Sequence, residues 1–138
     1  MQMDQDALSA FMEKEFPQVA QMFAIDSVKP MEVRVRLLHD DRHLRPGGTV
    51  SGPAMFALAD VSVYLAILAM IGPKALSVTT NCAIDFMRKP AAGVDLICTA
   101  RILKLGRSLA VGDCLIRSEG GADPVARASL TYSIPPVR

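Results

Sequence analysis

Residues 51–73, SGPAMFALADVSVYLAILAMIGP, decide the fold. Ser51 and Gly52 can cap a helix, and Pro53 suits its first position because that residue's N–H has no partner there. The spacing predicts a helix from Pro53 to about Met70, stopped by Gly72-Pro73. It is apolar nearly all the way round, so other structure must enclose it. Ala54 to Ile71 barely reaches the ~18–20 residues of a membrane span and carries an acid, Asp60, in its first half. A core helix is therefore expected, with no membrane as partner.

Upstream, Asp6 to Phe16 places Leu8, Phe11, Met12 and Phe16 on a helical stripe. Pro17 interrupts it, and a second short helical stretch is expected through Met22 and Phe23. Met31 to Leu38 alternates, with Val33, Val35 and Leu37 facing one way and Glu32, Arg34 and Arg36 the other, as a half-buried strand does. Residues 39–53, HDDRHLRPGGTVSGP, form a loop dense in glycine and charge. Downstream, four strands are expected: Leu76 to Met87, Val94 to Lys104, Ser108 to Arg117 and Pro124 to Ile134. Short turns at Gly106-Arg107 and Glu119-Gly120-Gly121 suggest an antiparallel meander. The expectation is one α+β domain over residues 1–138. A helical segment (1–27) precedes a core (28–138) in which an antiparallel sheet of about five strands wraps the long helix.

Composition agrees with a globular domain. The 138 residues are 51% hydrophobic and 21% charged, which excludes a disordered chain. A formal net charge of +1 and the absence of Trp argue against a nucleic-acid surface. Cys82, Cys98 and Cys114 are odd in number and scattered through apolar segments, as reduced core thiols are. No zinc-type spacing occurs. The polar, acidic first residues do not resemble a signal peptide, so a cytoplasmic location is expected.

Asp60 is the informative residue. A carboxylate inside an enclosed helix costs several kcal/mol unless it is paired or wet. Seven residues after Pro53, it is expected on the face of the helix start, where free amides and the positive end of the macrodipole lie. Gly52 is the natural donor, since Pro53 has no N–H and glycine lets a substrate approach. Ester and thioester hydrolysis need both a base or nucleophile and a donor for the developing oxyanion. The spacing equally fits Asp60 as a structural acid bonded to the sheet. Other chemistries find less support. No G-x-S-x-G elbow is present, GGTVSG lacks the lysine of a phosphate loop, and His39 and His43 stand in a loop without a third metal ligand.

At these residues the chain resembles the PaaI-like acyl-CoA thioesterases of the hotdog-fold superfamily, from about Met31 to Ile134. The helix Gly52 to Asp60 is similar to that family's glycine followed, eight residues on, by Leu-Ala-Asp. Thr79 to Arg88 (TTNCAIDFMR), leading to Pro90, resembles its second strand, and Ala100 to Val111 (ARILKLGRSLAV) its central hairpin. The resemblance implies that Asp60 activates water or attacks the thioester and that the Gly52 amide polarises the carbonyl. It implies that Thr79, or Thr80 after a one-residue slip, positions water. Arg45, Ser51, Thr80, Asn81, Arg88, Lys89, Lys104 and Arg107 become candidates for binding coenzyme A or substrate. The substrate would be a small, aromatic or medium-chain acyl-CoA, with coenzyme A part of the substrate and no other cofactor or metal. A homodimer or dimer of dimers is implied, the acid coming from one subunit and part of the pocket from another.

Two positions depart from the family pattern. Val50-Ser51-Gly52 stands where it often has His-Gly-Gly, and Arg45 where it often has Asn or His. A non-catalytic acyl-CoA or small-ligand binding protein on the same fold is the alternative that these departures motivate. A hydratase is disfavoured because no histidine follows His43.

Overall fold

The computed structural model describes residues 1–40, 42, 44, 45, 49–73 and 77–136. Along the chain run α1 (Gln5–Glu15), α2 (Pro17–Ala20), β1 (Phe23–Lys29), β2 (Glu32–Leu37), β3 (Leu44–Arg45), β4 (Thr49–Val50), α3 (Gly52–Ile71), β5 (Val78–Phe86), β6 (Leu96–Leu105), β7 (Leu109–Ser118) and β8 (Pro124–Ser133). The long helix begins and ends as its sequence dictates. The Ala54 N–H donates to Ser51 Oγ at 3.3 Å, and Gly72, at a φ of 95°, donates its N–H to the Leu68 carbonyl at 2.9 Å. Leu58, Leu65, Ile67 and Leu68 are fully buried on it. The apolarity that would suit a membrane is spent on the protein's own core.

Six antiparallel strands in the order β1-β2-β6-β7-β8-β5 enclose α3. Alternation carries the core: Val33, Val35 and Leu37 of β2 and Ala110, Cys114 and Ile116 of β7 are buried on the helix side. One position on β7 admits no side chain. A Cβ at Gly112 would lie 2.8 and 3.1 Å from the methyl groups of Val63, itself buried in α3. Gly112→Ala is therefore expected to cost about 1–3 kcal/mol by forcing helix and sheet apart. Urea denaturation, with the midpoint lowered and the slope unchanged, checks this.

Three expectations need correction. The sheet has six strands where about five were expected, and the sixth is β1. Residues 23–27, expected to continue a helical segment, are extended because Pro30-Met31 turns the chain into a hairpin with Lys29 opposite Glu32. Met31 takes the left-handed φ of 67° that the second central residue of a Pro-led type II turn requires. Third, β6, β7 and β8 form a meander, but β5 lies at the far edge beside β8. The linker 87–95 is too long for a tight turn, and Met87 and Arg88 donate their N–H groups to the Val125 carbonyl on the way across.

The N-terminal helices are held to this frame. Gln2 and Met3 donate their N–H groups to the Ala69 carbonyl of α3 at 2.7 and 3.1 Å, and Gln5 Nε2 donates to the Ile25 carbonyl of β1 at 2.6 Å. Leu8 and Met12 are buried. Pro17 cannot continue α1, so Phe16 (φ −137°, ψ 59°) leaves the helical region and forms the elbow between α1 and α2.

Candidate functional site

Asp60 lies two turns into α3 and is half-buried. Beneath it Thr79 of β5 and Tyr132 of β8 are directly paired across the strands. Thr79 Oγ1 lies 2.5 Å from Asp60 Oδ1, donating to it. The Tyr132 hydroxyl lies 2.5 Å from the same oxygen and 2.7 Å from the Asp60 carbonyl. Among the described residues nothing donates to Oδ2. The ladder shifts register between Thr79 and Asn81, so Thr80 is the residue left over. Thr80 is exposed and donates to the Thr131 carbonyl at 3.3 Å; the shift is what gives Thr79 the place at the acid.

Burial, then the charge of Asp60 and the bond to it, raise the pKa of Tyr132, so this phenol stays protonated and acts as a donor. Burial and the same charge raise the pKa of Cys82. Cys114 is raised by its bond to Cys98 and by burial, and Cys98 and Cys114 are both buried as core thiols.

The acid opens on a cavity of about 530 Å³. Asp60, Thr79, Tyr132 and Ser77 supply its polar points, and Phe16, Val61 and Val78 are among its apolar walls. Ser77 Oγ is buried and has no hydrogen-bond partner among the described residues, so its hydroxyl can serve a bound group or a water. Tyr132 and Ser77 were not among the residues that the sequence pointed to. The alternation of β8 could have placed Tyr132 on the inner face; nothing marked Ser77.

Gly52 does not share this cavity. It lines another, of about 350 Å³, with Met55, Phe86, Arg88 and Lys89. Asp60, seven residues after Pro53, lies near the same face as that residue, but Gly52 itself is one residue further back. Eight residues carry the chain about 12 Å along the axis and about 80° round it. The Phe86 ring stands 3.3 Å from where a Gly52 Cβ would be.

The remaining candidates divide. Arg88 and Lys89 lie together beside Gly52, both exposed, and Arg88 donates to the Pro124 carbonyl. Arg107 and Lys104 are exposed at the β6–β7 turn. The register Val78–Ser133–Leu109 puts that turn at the Asp60 end of the sheet. Asn81 is exposed on β5. Ser51 serves as the α3 cap. Arg45 pairs its backbone with Thr49 in the β3–β4 ladder, its side chain outside what is described. His43 lies outside the described residues, and His39 donates its N–H to Asp95 Oδ1 at 2.6 Å.

Known proteins share this fold. Residues 47–125, more than half of the chain, match the model of the thioesterase superfamily. A Silicibacter sp. TM1040 structure, named provisionally as a thioesterase, is 61% identical over 96% of this chain and 92% of its own, with a TM-score of 0.91. A Pseudomonas aeruginosa protein named provisionally as an esterase, PA0474, is 30% identical over 80% of this chain and 79% of its own. The E. coli PaaI protein from the phenylacetic acid degradation operon has the same fold, with a TM-score of 0.79 at 22% identity over 92% and 90% of the two chains. Family match, relatives and architecture agree that the chain belongs to the thioesterase superfamily and has the hotdog fold of its PaaI-like members.

Proposed function

We propose that this protein hydrolyses an acyl-CoA thioester to the free acid and coenzyme A. The observation that carries this is the Asp60 carboxylate. Thr79 and Tyr132 hold it through Oδ1, and Oδ2, with no donor among the described residues, stands at an apolar cavity large enough for an acyl group. Oδ2 takes a proton from a water as that water adds to the thioester carbonyl carbon. The resulting tetrahedral intermediate then breaks its C–S bond, and the departing thiolate recovers the proton from Asp60. The Gly52 amide, at the positive end of α3, stabilises the oxyanion. Direct attack by Oδ2 on the carbonyl carbon would instead expel the thiolate and leave a mixed anhydride, which water then hydrolyses to the free acid and the Asp60 carboxylate.

Separate cavities within one chain support a reading in which the two parts of a site come from two copies of the chain. β5 is an edge strand with Val78 and Thr79 at the Asp60 cavity and Phe86 at the Gly52 cavity. Its nine residues span about 30 Å. Antiparallel pairing of β5 with its twofold copy brings the Asp60 end of one chain to the Gly52 end of the other. The same pairing brings Arg107 of one copy towards Arg88 and Lys89 of its mate, a cationic rim suited to the phosphates of coenzyme A.

A single chain, with its acid and glycine apart, favours acyl-CoA binding without turnover as the second reading. Thiol release from a panel of acyl-CoAs separates the two. Hydrolysis above an Asp60→Asn control is expected. A melting temperature raised by acyl-CoA without release of thiol would establish the binding protein instead.

Tyr132→Phe keeps the ring and deletes one donor to the carboxylate. A hydrogen bond to a charged group is worth about 1.5–3 kcal/mol, so kcat should fall about 10- to 100-fold. KM should stay within about twofold, because the hydroxyl is bonded to Asp60. Equal loss in kcat and in binding would mean that Tyr132 only shapes the cavity.

A further inference from the structure

We propose that the N-terminal elbow is the wall that limits the length of the bound acyl group, with Phe16 as the residue that sets the limit. The occupant, an acyl chain, rests on the function proposed above; the wall itself rests on geometry. Met12, Phe16 and Val19 of the first two helices line the Asp60 cavity. They lie before residue 47, outside the stretch that matches the superfamily model, so this wall is built by a part of the chain that the family pattern does not prescribe.

The wall is placed and stiffened by local physics. Pro17 ends α1 and turns Phe16 out of the helical path. Its ring then meets Tyr64 edge-on, centroids 5.9 Å apart at 87°, and Tyr64 stands 6.1 Å from the ring of Tyr132. The Phe11 ring also stands 6.5 Å from that of Phe16, tilted by 59°. Tyr64 lies four residues after Asp60, one turn further along α3, so Phe16 bounds the cavity beyond the acid, where an acyl tail entering past Asp60 would arrive. Tyr64 is buried and lines the same cavity, so its edge contact ties the Phe16 ring to the core, and a tail cannot displace Phe16 without disturbing that contact.

Each methylene that an apolar pocket accepts or refuses is worth about 10- to 200-fold in selectivity. Non-hydrolysable S-alkyl-CoA thioethers of increasing chain length, titrated calorimetrically into the whole protein, read this directly. Wild-type affinity should rise with length and then fall once the tail meets Phe16. In Phe16→Ala the fall should come at longer chains, with affinity for the first chain that wild type refuses improved by about tenfold or more. Phe16→Leu, a milder change to the fold, should shift the limit part of the way. A limit at the same length in all three proteins overturns the assignment, as does binding of no thioether by the wild type. A Phe16-dependent limit without thiol release from the matching thioesters would leave the wall standing and remove the catalytic function.

Discussion

Asp60→Asn is expected to lower kcat by about 10²- to 10⁴-fold, the range that a positioned general base supplies, with acyl-CoA binding and the fold retained. The substitution is isosteric. The amide oxygen can take the place of Oδ1 and keep the bonds from Thr79 and Tyr132, at 2.5 Å each in the native chain. The amide nitrogen then occupies the position of Oδ2, where it can only donate. The atom proposed to accept a proton or attack a carbonyl is lost, and little else changes. Half-exposure of Asp60 also means that no deeply buried charge is created or left unpaired. The measurement is kcat on the best thioester of the panel, beside the melting temperature and the Kd of a thioether analogue. Turnover within about tenfold of wild type would show that another group carries the proton, and Asp60 would be a structural acid after all.

The sequence spoke clearly wherever a single residue sets the local backbone or a long run sets a face. Ser51-Gly52-Pro53 and Gly72-Pro73 bracket the helix they were expected to bracket, and the alternation of Val33, Val35 and Leu37 marks a true inner face. Asp60 stood out because an acid in an otherwise apolar helix is expensive. Long-range placement was less legible. Phe23–Lys29 shows a blurred alternation because the β1–β2 ladder shifts register between Ile25 and Ser27, which puts apolar residues out of step. The edge position of β5 depends on which strand β8 accepts, a tertiary choice that no local pattern encodes. Tyr132 lies 72 residues from Asp60 and meets it only through that pairing. The division of Asp60 and Gly52 between two cavities has the same origin. The sequence singled out both residues, but their relation to each other depends on the rotation of α3 and on where Phe86 falls.

That division makes a second result decisive: two inactive variants should restore activity when combined. Gly52→Pro removes the proposed oxyanion donor outright. The helix should tolerate it, since Gly52 already sits in the first turn and Ser51 has the extended φ of −74° and ψ of 156° that a following proline demands. The new ring would press on Phe86, which is half exposed and can yield by a few tenths of an ångström. Loss of one oxyanion donor should cost about 10²- to 10³-fold in kcat. In an Asp60→Asn homodimer every site lacks the acid, and in a Gly52→Pro homodimer every site lacks the donor. Unfolded together in equal amounts and refolded, the two chains of the proposed dimer should form hybrids as half of the population. If each site takes its acid from one copy and its glycine from the other, each hybrid holds one site with both native residues and one with neither. About a quarter of wild-type activity should therefore return, far above either parent. A site contained in one chain gives no such recovery, because every chain in the mixture carries one lesion. Activity no higher than the mean of the two parents, with hybrid dimers demonstrated by mass, would place Asp60 and Gly52 in separate roles and remove the shared-site mechanism.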